Sequence, residues 1–446
     1  MSTRVSTKAN AKVDAKVERP AGRPADTAED RPAEAAATGG QGAAQATGAD
    51  AVYGPGPGGG LAARQSLDRI LEDSQRMDPG SLPELLRQQY AGFGVDRLIV
   101  YLADLQQNLL VALPGSDTGD GQPPRLSIDS SLAGWTYRTL SPRIAQNDTS
   151  LTLWLPMMAG VERLGVLSVQ LPALDPGTLA RCRTLAALVA LIVVNKNLIS
   201  DAYAYTQRTR PMQLPAEMVW AFLPPRTIGT DQVTSSAVVE PAYDLGGDAF
   251  DHALCGGVLH ASILDAMGHD LASGLTSAVA LAGIRNTRRR GGSLADIVAT
   301  IDNSIEEVFA DRYVTAILAQ LDTATGRLRW ANCGHPPPLL LRGGTVLHGA
   351  LERRAEVPRG RGPRIPGPRR RIHQTQLQPG DRVLLYTDGV VDARSASGER
   401  FGEQRFAEFM IRAMEAGEPA PEVLRRLIHA ILNYQSSRFT DDATIL

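Results

Sequence analysis

The sequence is poor in the features that mark several common protein classes. Its 446 residues include three cysteines, Cys182, Cys255 and Cys333, which are scattered and lack the spacing of a zinc site. Lysine and arginine number 46 and nearly balance 48 aspartate and glutamate residues, so the whole chain is not a generic nucleic-acid binder. It has neither a G-x-x-x-x-G-K-[ST] phosphate loop nor a G-x-S-x-G nucleophile motif. A zinc enzyme, a P-loop enzyme and an α/β-hydrolase are therefore not expected.

Long hydrophobic segments are also scarce. The chain begins with the polar residues Met-Ser-Thr-Arg and has no apolar segment behind them, so no signal peptide is expected. The longest apolar run, LAALVALIVV at 185–194, is too short to span a bilayer. The scattered cysteines suit a reducing compartment. These features predict a cytoplasmic protein without a membrane segment.

The first part of the chain differs in composition from the rest. Residues 1–60 contain no Leu, Ile, Phe or Trp and end in GPGPGGG. Such a segment cannot bury enough apolar surface to offset the entropy lost on ordering. We therefore predict that residues 1–60 are a disordered tail.

Residues 62–197 have the pattern of a compact domain. Amphipathic helical segments are followed by two strand-like segments, a short helix opened by serine, a hairpin and a closing helix. This order, with LPM and GVERLGVLSV near its end, resembles a GAF-type sensor domain. The resemblance implies a sensing role and names no ligand.

Residues 198–229 are predicted to be a helical linker to the next domain. Helical patterning extends over 178–222, but Pro211 and Pro215 interrupt it, so one continuous coiled coil is not expected. Two interpretations remain open. The helix either packs on its own domain, or it is a signalling helix that pairs with a second copy of the chain and makes a homodimer.

Residues 230–446 contain strand and helix patterns in blocks. Most predicted strands neighbour other strands, and the helical patterns come in pairs, 274–290 with 293–310 and 403–414 with 421–435. This arrangement favours antiparallel sheets faced by helix pairs over a parallel sheet with crossover helices. The predicted fold class is mixed α/β, of the α+β type.

Four acidic motifs in this domain place aspartate beside glycine or another turn-forming residue at a predicted strand end. They are DLGGDAFD with Asp248, SILDAMGHD with Asp265, LLYTDGVV with Asp388, and RFTDDATIL with Asp441 and Asp442. Carboxylates projected toward one point suit Mg²⁺ or Mn²⁺, and two such ions can hold a phosphate ester and activate a water. A solvated turn is the alternative interpretation of any one of them.

Five motifs together carry a more specific resemblance. YDLGGDAFD, LDAMGHDLASGLTSA, ANCGHPPPLLL, GDRVLLYTDGVVDA and FTDDATIL occur in this order between residues 230 and 446. They resemble the metal-dependent PPM (PP2C-like) serine/threonine phosphatases of the SpoIIE/RsbU branch. The resemblance implies a PP2C-like α-β-β-α sandwich with two Mn²⁺ or Mg²⁺ ions at one edge of the sheet pair.

The resemblance also implies roles for individual residues. Asp248, Asp265, Asp388 and Asp441 match the metal-binding acids, and Ala266 matches a position that binds metal through its backbone carbonyl. Asp248, Asp265 and Asp388 would hold the metal-bound water that attacks phosphorus directly, so that no phosphoenzyme forms.

Several further polar residues are expected to lie near this site. Asp442, His269 and His335 are expected to support the metal ligands. His335 is either a general acid toward the leaving serine oxygen or a residue that fixes its loop, and His269 is expected to be structural or to lie at the substrate edge. Asp244 and Asp251 are interpreted as solvated turn residues.

The predicted function follows from this resemblance. We expect a phosphatase that acts on the phosphoserine of a STAS-type anti-anti-sigma factor in a partner-switching pathway, controlled by the GAF-like domain through an unknown ligand or regulator. Two alternatives are a non-catalytic signalling scaffold with the same fold and a metal phosphodiesterase that acts on a small nucleotide. Neither nucleic acid nor a membrane is an expected partner.

One segment departs from the family pattern. Residues 353–371 contain eight arginines among several prolines. The segment is either a solvated loop or a basic rim that steers an anionic phosphoprotein or an acidic partner. It contains no aromatic residue on which a base could stack.

Overall fold

The computed structural model describes residues 59–115, 123–146, 150–309, 311–353, 371–435 and 441–446. The predicted disordered tail lies, as far as residue 58, outside the described residues. Residues 354–370 of the arginine-rich segment lie outside them too. Gly59 and Gly60, which were assigned to the tail, already belong to the first helix.

The N-terminal domain is one antiparallel sheet with helices on both faces. Its helices are α1 (Gly59–Ser74), α2 (Leu82–Gln89), α3 (Leu132–Thr139) and α4 (Pro176–Asn197), and short 3-10 helices at Pro79–Ser81 and Tyr90–Phe93 flank α2. Its strands are β1 (Arg97–Ala103), β2 (Leu109–Ala112), β3 (Arg125–Ser127), β4 (Arg143–Gln146), β5 (Leu151–Ala159) and β6 (Glu162–Leu171). The strand order is β3-β2-β1-β6-β5-β4. The element order expected for a GAF-like domain is present.

Helix α4 closes the core of this domain. Leu185, Val189 and Val193 are buried against the sheet, whereas Leu191 and Leu198 beside them are 58% and 79% exposed. By length and composition alone, the helix is apolar enough to cross a membrane, which the ten-residue run at 185–194 did not suggest. Because its inner face packs on the sheet, the structure supports the first interpretation, a helix packed on its own domain. Pairing with a second copy stays a prediction.

Two short helices connect the domains, α5 (Ala202–Gln207) and α6 (Leu214–Phe222). They belong to different cores. Tyr203 of α5 is buried against the N-terminal domain, where its hydroxyl donates to the Pro79 carbonyl at 2.9 Å. Ala216 and Val219 of α6 are buried in the core of the C-terminal domain. The connection is therefore divided between the two domains.

The C-terminal domain contains the remaining elements. Its helices are α7 (Leu271–Arg289), α8 (Leu294–Val308), α9 (Asp388–Val391), α10 (Gly402–Glu415) and α11 (Ala420–Tyr434). Its strands are β7 (Thr227–Gly229), β8 (Thr234–Ser236), β9 (Val238–Glu240), β10 (Asp248–Cys255), β11 (Val258–Ala266), β12 (Val314–Asp322), β13 (Arg327–Cys333), β14 (Leu339–Arg342), β15 (Thr345–Val346), β16 (His373–Gln376), β17 (Arg382–Leu384) and β18 (Ala443–Ile445).

These strands form two antiparallel layers. One sheet has the order β10-β11-β12-β13-β16, and its core contains apolar residues of α7 and α8. The other layer joins β15-β14-β17 to β18-β9 through paired backbone hydrogen bonds between Leu385 and Leu446, and it packs on α10 and α11. Antiparallel sheets faced by helix pairs, and the mixed α/β fold class, are confirmed.

Candidate metal centre

The candidate site is built around two aspartates that face each other across neighbouring strands. Asp248 is the first residue of β10, and Asp265 is the second-last residue of β11. The two are direct partners in the antiparallel register. Side chains opposite each other on neighbouring strands lie on the same face of the sheet, where like charges repel. This register therefore brings two carboxylates together at one sheet edge.

The electrostatics connect this pair to the other predicted acids. Burial, followed by repulsion from Asp265 and Asp442, raises the pKa of Asp248 well above its usual range. Burial, followed by repulsion from Asp388 and Asp441, raises the pKa of Asp265 to about 7. Burial and then Asp441 raise the pKa of Asp388. The structure thus brings the four predicted metal-binding aspartates close enough to oppose one another's ionisation.

Asp388 and Asp441 reach this cluster from the second layer. The expectation that Asp388 directly ends a strand is wrong, because β17 stops at Leu384 and Asp388 is the first residue of α9. The chain stays in the layer through a bridge between Tyr386 and Ile445. Asp441 lies just before β18 and is exposed.

The glycine after Asp388 is required by packing rather than by a turn. A Cβ atom on Gly389 would lie 1.9 Å from the Asp442 carbonyl oxygen. The Asp-Gly pair therefore allows α9 to approach the segment that carries Asp441 and Asp442.

Asp442 holds the loop that leads into Asp248. Its Oδ2 atom accepts backbone N–H groups from Gly246 at 2.9 Å, Gly247 at 2.7 Å and Asp248 at 3.2 Å. Burial raises the pKa of this carboxyl, and the three N–H donors act in the opposite direction. This side chain fixes the Gly-Gly-Asp backbone.

Sequence reasoning missed two threonines that orient Asp248. The hydroxyls of Thr387 and Thr444 each donate to Asp248 Oδ2 at 2.7 Å, and both residues are fully buried. The Thr444 backbone N–H donates to the Thr387 hydroxyl at 2.9 Å. The signal was available, since each threonine lies next to or near a predicted ligand in YTDG and DDATIL.

The Ala266 carbonyl lies against the loop that leads into Asp248. A Cβ atom on Gly247 would lie 2.5 Å from the Ala266 carbonyl oxygen, so the bare glycine allows this carbonyl to approach the Asp248 loop. Among the described non-glycine residues, positive φ occurs at Gln107 and Leu140 and not at Ala266. The alanine therefore fits the backbone of this turn without strain.

His335 is fully engaged by its surroundings. Its Nε2 atom lies 3.0 Å from the Tyr386 carbonyl, which can only accept, so Nε2 carries the proton and Nδ1 accepts from the Thr315 hydroxyl at 2.7 Å. Burial lowers the pKa of His335 to about 3, so the ring is neutral. This arrangement ties the loop after β13 to the layer that carries Asp388. His269 is exposed, and its backbone packs against Gly246.

The interpretation of Asp251 as a solvated turn residue is wrong. Asp251 lies inside β10 with a 1% exposed side chain and pairs with Arg285 at 2.7 Å and Arg288 at 2.5 Å, both on α7. Asp244 is an exposed turn residue, as interpreted. The pairs of Asp251 fix α7, which follows the Asp265 loop, to β10.

The donor set suits a hard divalent cation. The groups of the predicted site are carboxylate oxygens and one backbone carbonyl oxygen, which are ligands that Mg²⁺ and Mn²⁺ prefer. No described cationic side chain pairs directly with Asp248, Asp265 or Asp388, so the negative charges of these carboxylates repel one another. In the described part of the chain, no three acidic, histidine or cysteine side chains are already arranged around one point as ligands.

The site lies outside two cavities that border the C-terminal domain. One, of about 180 Å³, lies between the two layers of the C-terminal domain and has mostly apolar walls. The other, of about 230 Å³, lies between the domains. None of the predicted site residues lines either cavity.

Comparison with known proteins shows what the C-terminal part of the chain resembles. Residues 256–446 match the family model described as Stage II sporulation protein E (SpoIIE). The phosphoserine phosphatase RsbP of Bacillus subtilis is 28% identical over 174 residues, which are 37% of this chain and 41% of RsbP. The chain spans less than half the length of the curated relatives it matches.

Solved structures resemble both domains. The SiaA-PP2C domain of Pseudomonas aeruginosa is 22% identical, with 52% of this chain and 92% of that chain covered and a TM-score of 0.44. A GAF domain from an Acinetobacter phosphoenolpyruvate-protein phosphotransferase is 15% identical, with 31% of this chain and 95% of that chain covered and a TM-score of 0.27. The family model is the most extensive of these sequence matches. Over residues 256–446, this chain is similar to the SpoIIE family of PP2C-like domains.

Proposed function

We propose that this chain is a metal-dependent protein serine/threonine phosphatase. The observation that carries the proposal is the direct pairing of Asp248 and Asp265 across β10 and β11, within a cluster whose carboxylates repel one another. A fold that keeps such a repulsive cluster at a sheet edge is well suited to binding cations there. The name of RsbP, a phosphoserine phosphatase, supports the reaction class.

The proposed ligands are Asp248, Asp265, Asp388, Asp441 and the Ala266 carbonyl, which together would hold two Mn²⁺ or Mg²⁺ ions. When bound, such ions neutralise phosphate charge and make a water nucleophilic near neutral pH. No residue of the cluster is needed as a covalent nucleophile.

The other residues of the site position these ligands. Thr387 and Thr444 orient the Asp248 carboxylate through its Oδ2 atom, and Asp442 fixes the backbone before it. For His335 we propose the loop-fixing role rather than that of general acid, because both ring nitrogens are used and the ring is neutral. His269 is exposed at the start of the loop before α7, which suits a place at the substrate edge.

The substrate and setting are inferred from the branch that the sequence resembles. We propose that the substrate is the phosphoserine of a STAS-type anti-anti-sigma protein and that the GAF-like domain controls its hydrolysis in the cytoplasm. A homodimer formed through the exposed face of α4 is compatible with the apolar residues there, Leu191, Val194 and Leu198.

The raised pKa of Asp265 gives a pH-dependent stability in the absence of metal. The folded protein keeps a proton on Asp265 up to about pH 7, whereas the unfolded chain loses it near pH 4. Because the folded state binds more protons in this window, the contribution of Asp265 to stability falls as the pH rises from about 4 to 7. In chelator-treated protein, Asp265→Asn should therefore raise the free energy of unfolding by about 1–3 kcal/mol at pH 8 and much less at pH 5. Urea denaturation at both pH values measures this difference, and an equal difference at both would contradict it.

The activity should require metal and the acidic cluster. The purified chain should hydrolyse p-nitrophenyl phosphate with Mn²⁺, and a chelator should abolish the reaction. Asp388→Ala should reduce the rate by at least about 100-fold, because it removes a metal ligand. Asp244→Ala is the matched control, since this aspartate is exposed in a turn of the same domain and should keep wild-type activity.

The alternatives give different results in the same assay. A chain that stays inactive with Mn²⁺ but still binds a partner would be a signalling scaffold. A chain that cleaves bis-p-nitrophenyl phosphate better than p-nitrophenyl phosphate would be a phosphodiesterase.

The substrate class is tested with phosphorylated STAS proteins from the same genome. At least one should lose its phosphate about 100-fold faster with the wild-type chain than with Asp388→Ala, as seen by the mass of the intact protein. A phosphoserine peptide with the same local sequence serves as control, because it lacks the folded docking surface. Equal rates for all STAS proteins and the peptide would contradict the proposed substrate.

A further inference from the structure

The turn between β1 and β2 of the GAF-like domain, residues Asp104–Asn108, is docked into the C-terminal domain. Asp104 shapes the turn by accepting the backbone N–H groups of Asn108 at 2.7 Å and Leu109 at 2.8 Å. Gln107 has a positive φ of 55°. This backbone exposes three successive carbonyl groups on one side of the turn.

Each of these carbonyls accepts a hydrogen bond from a side chain beyond the domain. Arg226 donates to the Leu105 carbonyl, His429 to the Gln106 carbonyl at 3.1 Å, and Arg425 to the Gln107 carbonyl at 3.2 Å. His429 and Arg425 both lie on α11. Because three consecutive backbone carbonyls each accept a hydrogen bond from a different side chain, the position of the turn is fixed.

Buried charges on α11 hold the two domains together around this turn. Arg425 makes a bidentate pair with Glu422 at 2.8 and 3.0 Å. Glu422 also pairs at 2.9 Å with Arg163 of the GAF-like domain, and the two side chains are 6% and 3% exposed. Arg425 reaches Asp129 of that domain at 2.6 Å. Buried charges of this kind tolerate little displacement, so the docked position is well defined.

The side chain of Gln106 connects the turn to a strand that leads to the acidic site. Its Nε2 atom donates to Glu240 Oε2 at 3.1 Å, and the same oxygen accepts the Ala242 N–H at 2.8 Å. Glu240 ends β9 and is the register partner of Ala443 in β18. Glu240 therefore lies at the junction of the turn and the strand pair that enters the site.

Both directions from Glu240 lead to a proposed metal ligand. The first connection runs across the strand pair, because Glu240 is paired with Ala443, which directly follows Asp441 and Asp442 in the sequence. Asp442 in turn accepts the backbone N–H groups of residues 246–248. Along the chain, the segment after Glu240 runs through Ala242 to the same residues and ends at Asp248. A shift of Glu240 thus acts on the backbone on both sides of Asp248.

We propose that the Asp104–Asn108 turn strengthens metal binding at the acidic site. The turn acts through the hydrogen bond from Gln106 to Glu240, and Glu240 is the positioning residue. This inference rests on the proposed metal site and concerns how the GAF-like domain controls it. Since coupling between two sites is reciprocal, metal binding should also hold the turn in place.

Two further observations agree with this role. Burial raises the pKa of Glu240 to about 7, so the loss of one of its two N–H donors leaves a poorly satisfied buried carboxyl that must shift or neutralise. The interdomain cavity of about 230 Å³ lies beside the turn, with Asp104 and Arg226 in its wall. On this side, the turn therefore borders a cavity rather than a packed core.

The test removes the Gln106 amide and keeps its shape. Gln106→Met should weaken Mn²⁺ binding by the full-length chain about threefold to tenfold in isothermal titration calorimetry. Gln88→Met is the matched control, because Gln88 is an exposed glutamine of the same domain that bonds only to its own helix. If Gln106→Met does not fold, Gln106→Asn keeps the amide but is too short to reach Glu240.

Three results are distinguishable. Weaker Mn²⁺ binding in the Gln106 variant alone, with an unchanged melting temperature in chelator, supports the inference. Unchanged or tighter binding overturns it, including when the melting temperature falls, since that pattern indicates a purely structural contact. If the wild-type chain binds no Mn²⁺, the proposed metal site itself is wrong and this inference falls with it.

Discussion

The Asp442 carboxylate, which accepts three consecutive backbone N–H groups, is the interaction on which the acidic site depends. It joins the last strand of the described chain to the Gly246-Gly247-Asp248 loop, almost 200 positions earlier in the sequence. This clamp fixes the backbone that leads into β10, where Asp248 faces Asp265 in register. Gly389 is needed for the same segment, because a Cβ atom there would collide with the Asp442 carbonyl, and Gly246 and Gly247 avoid collisions with the backbone at and after the end of β11.

The acidic site that includes this clamp brings like-charged carboxylates close together. Burial and mutual repulsion raise the pKa values of Asp248, Asp265 and Asp388, which weakens the metal-free fold as the pH rises. Two threonine hydroxyls and the amide donors to Asp442 offset part of this cost, and divalent cations would offset the rest. The local instability is what would be expected of a site organised for metal rather than for its own stability. The docked turn of the GAF-like domain contacts the same strand pair through Gln106 and Glu240, and the proposed control of metal binding would use this contact.

Much of the fold could be predicted because the local patterns agree with it. Strand β6 contains most of the GVERLGVLSV segment that was expected in a hairpin, and α7, α8, α10 and α11 lie within a few residues of their predicted positions. Strand β10 was missed because Asp251 and His252 interrupt its apolar pattern, and the arginines that satisfy Asp251 come from a distant helix. Strand β16 was missed because its four residues are polar and half exposed at a sheet edge. The acidic residues were found through their glycine neighbours, whereas Thr387, Thr444 and the Gln106–Glu240 contact depend on register between distant segments, which no local pattern encodes.

The central claim is that Asp248, Asp265, Asp388 and Asp441 converge on a pair of divalent cations. Crystals of the full-length chain grown with Mn²⁺, with diffraction data collected at the manganese absorption edge, test it most directly. The account predicts two anomalous peaks at this sheet edge, within contact distance of Asp248, Asp265, Asp388 and Asp441. An anomalous map without peaks at this sheet edge, or with manganese bound only elsewhere, would contradict it.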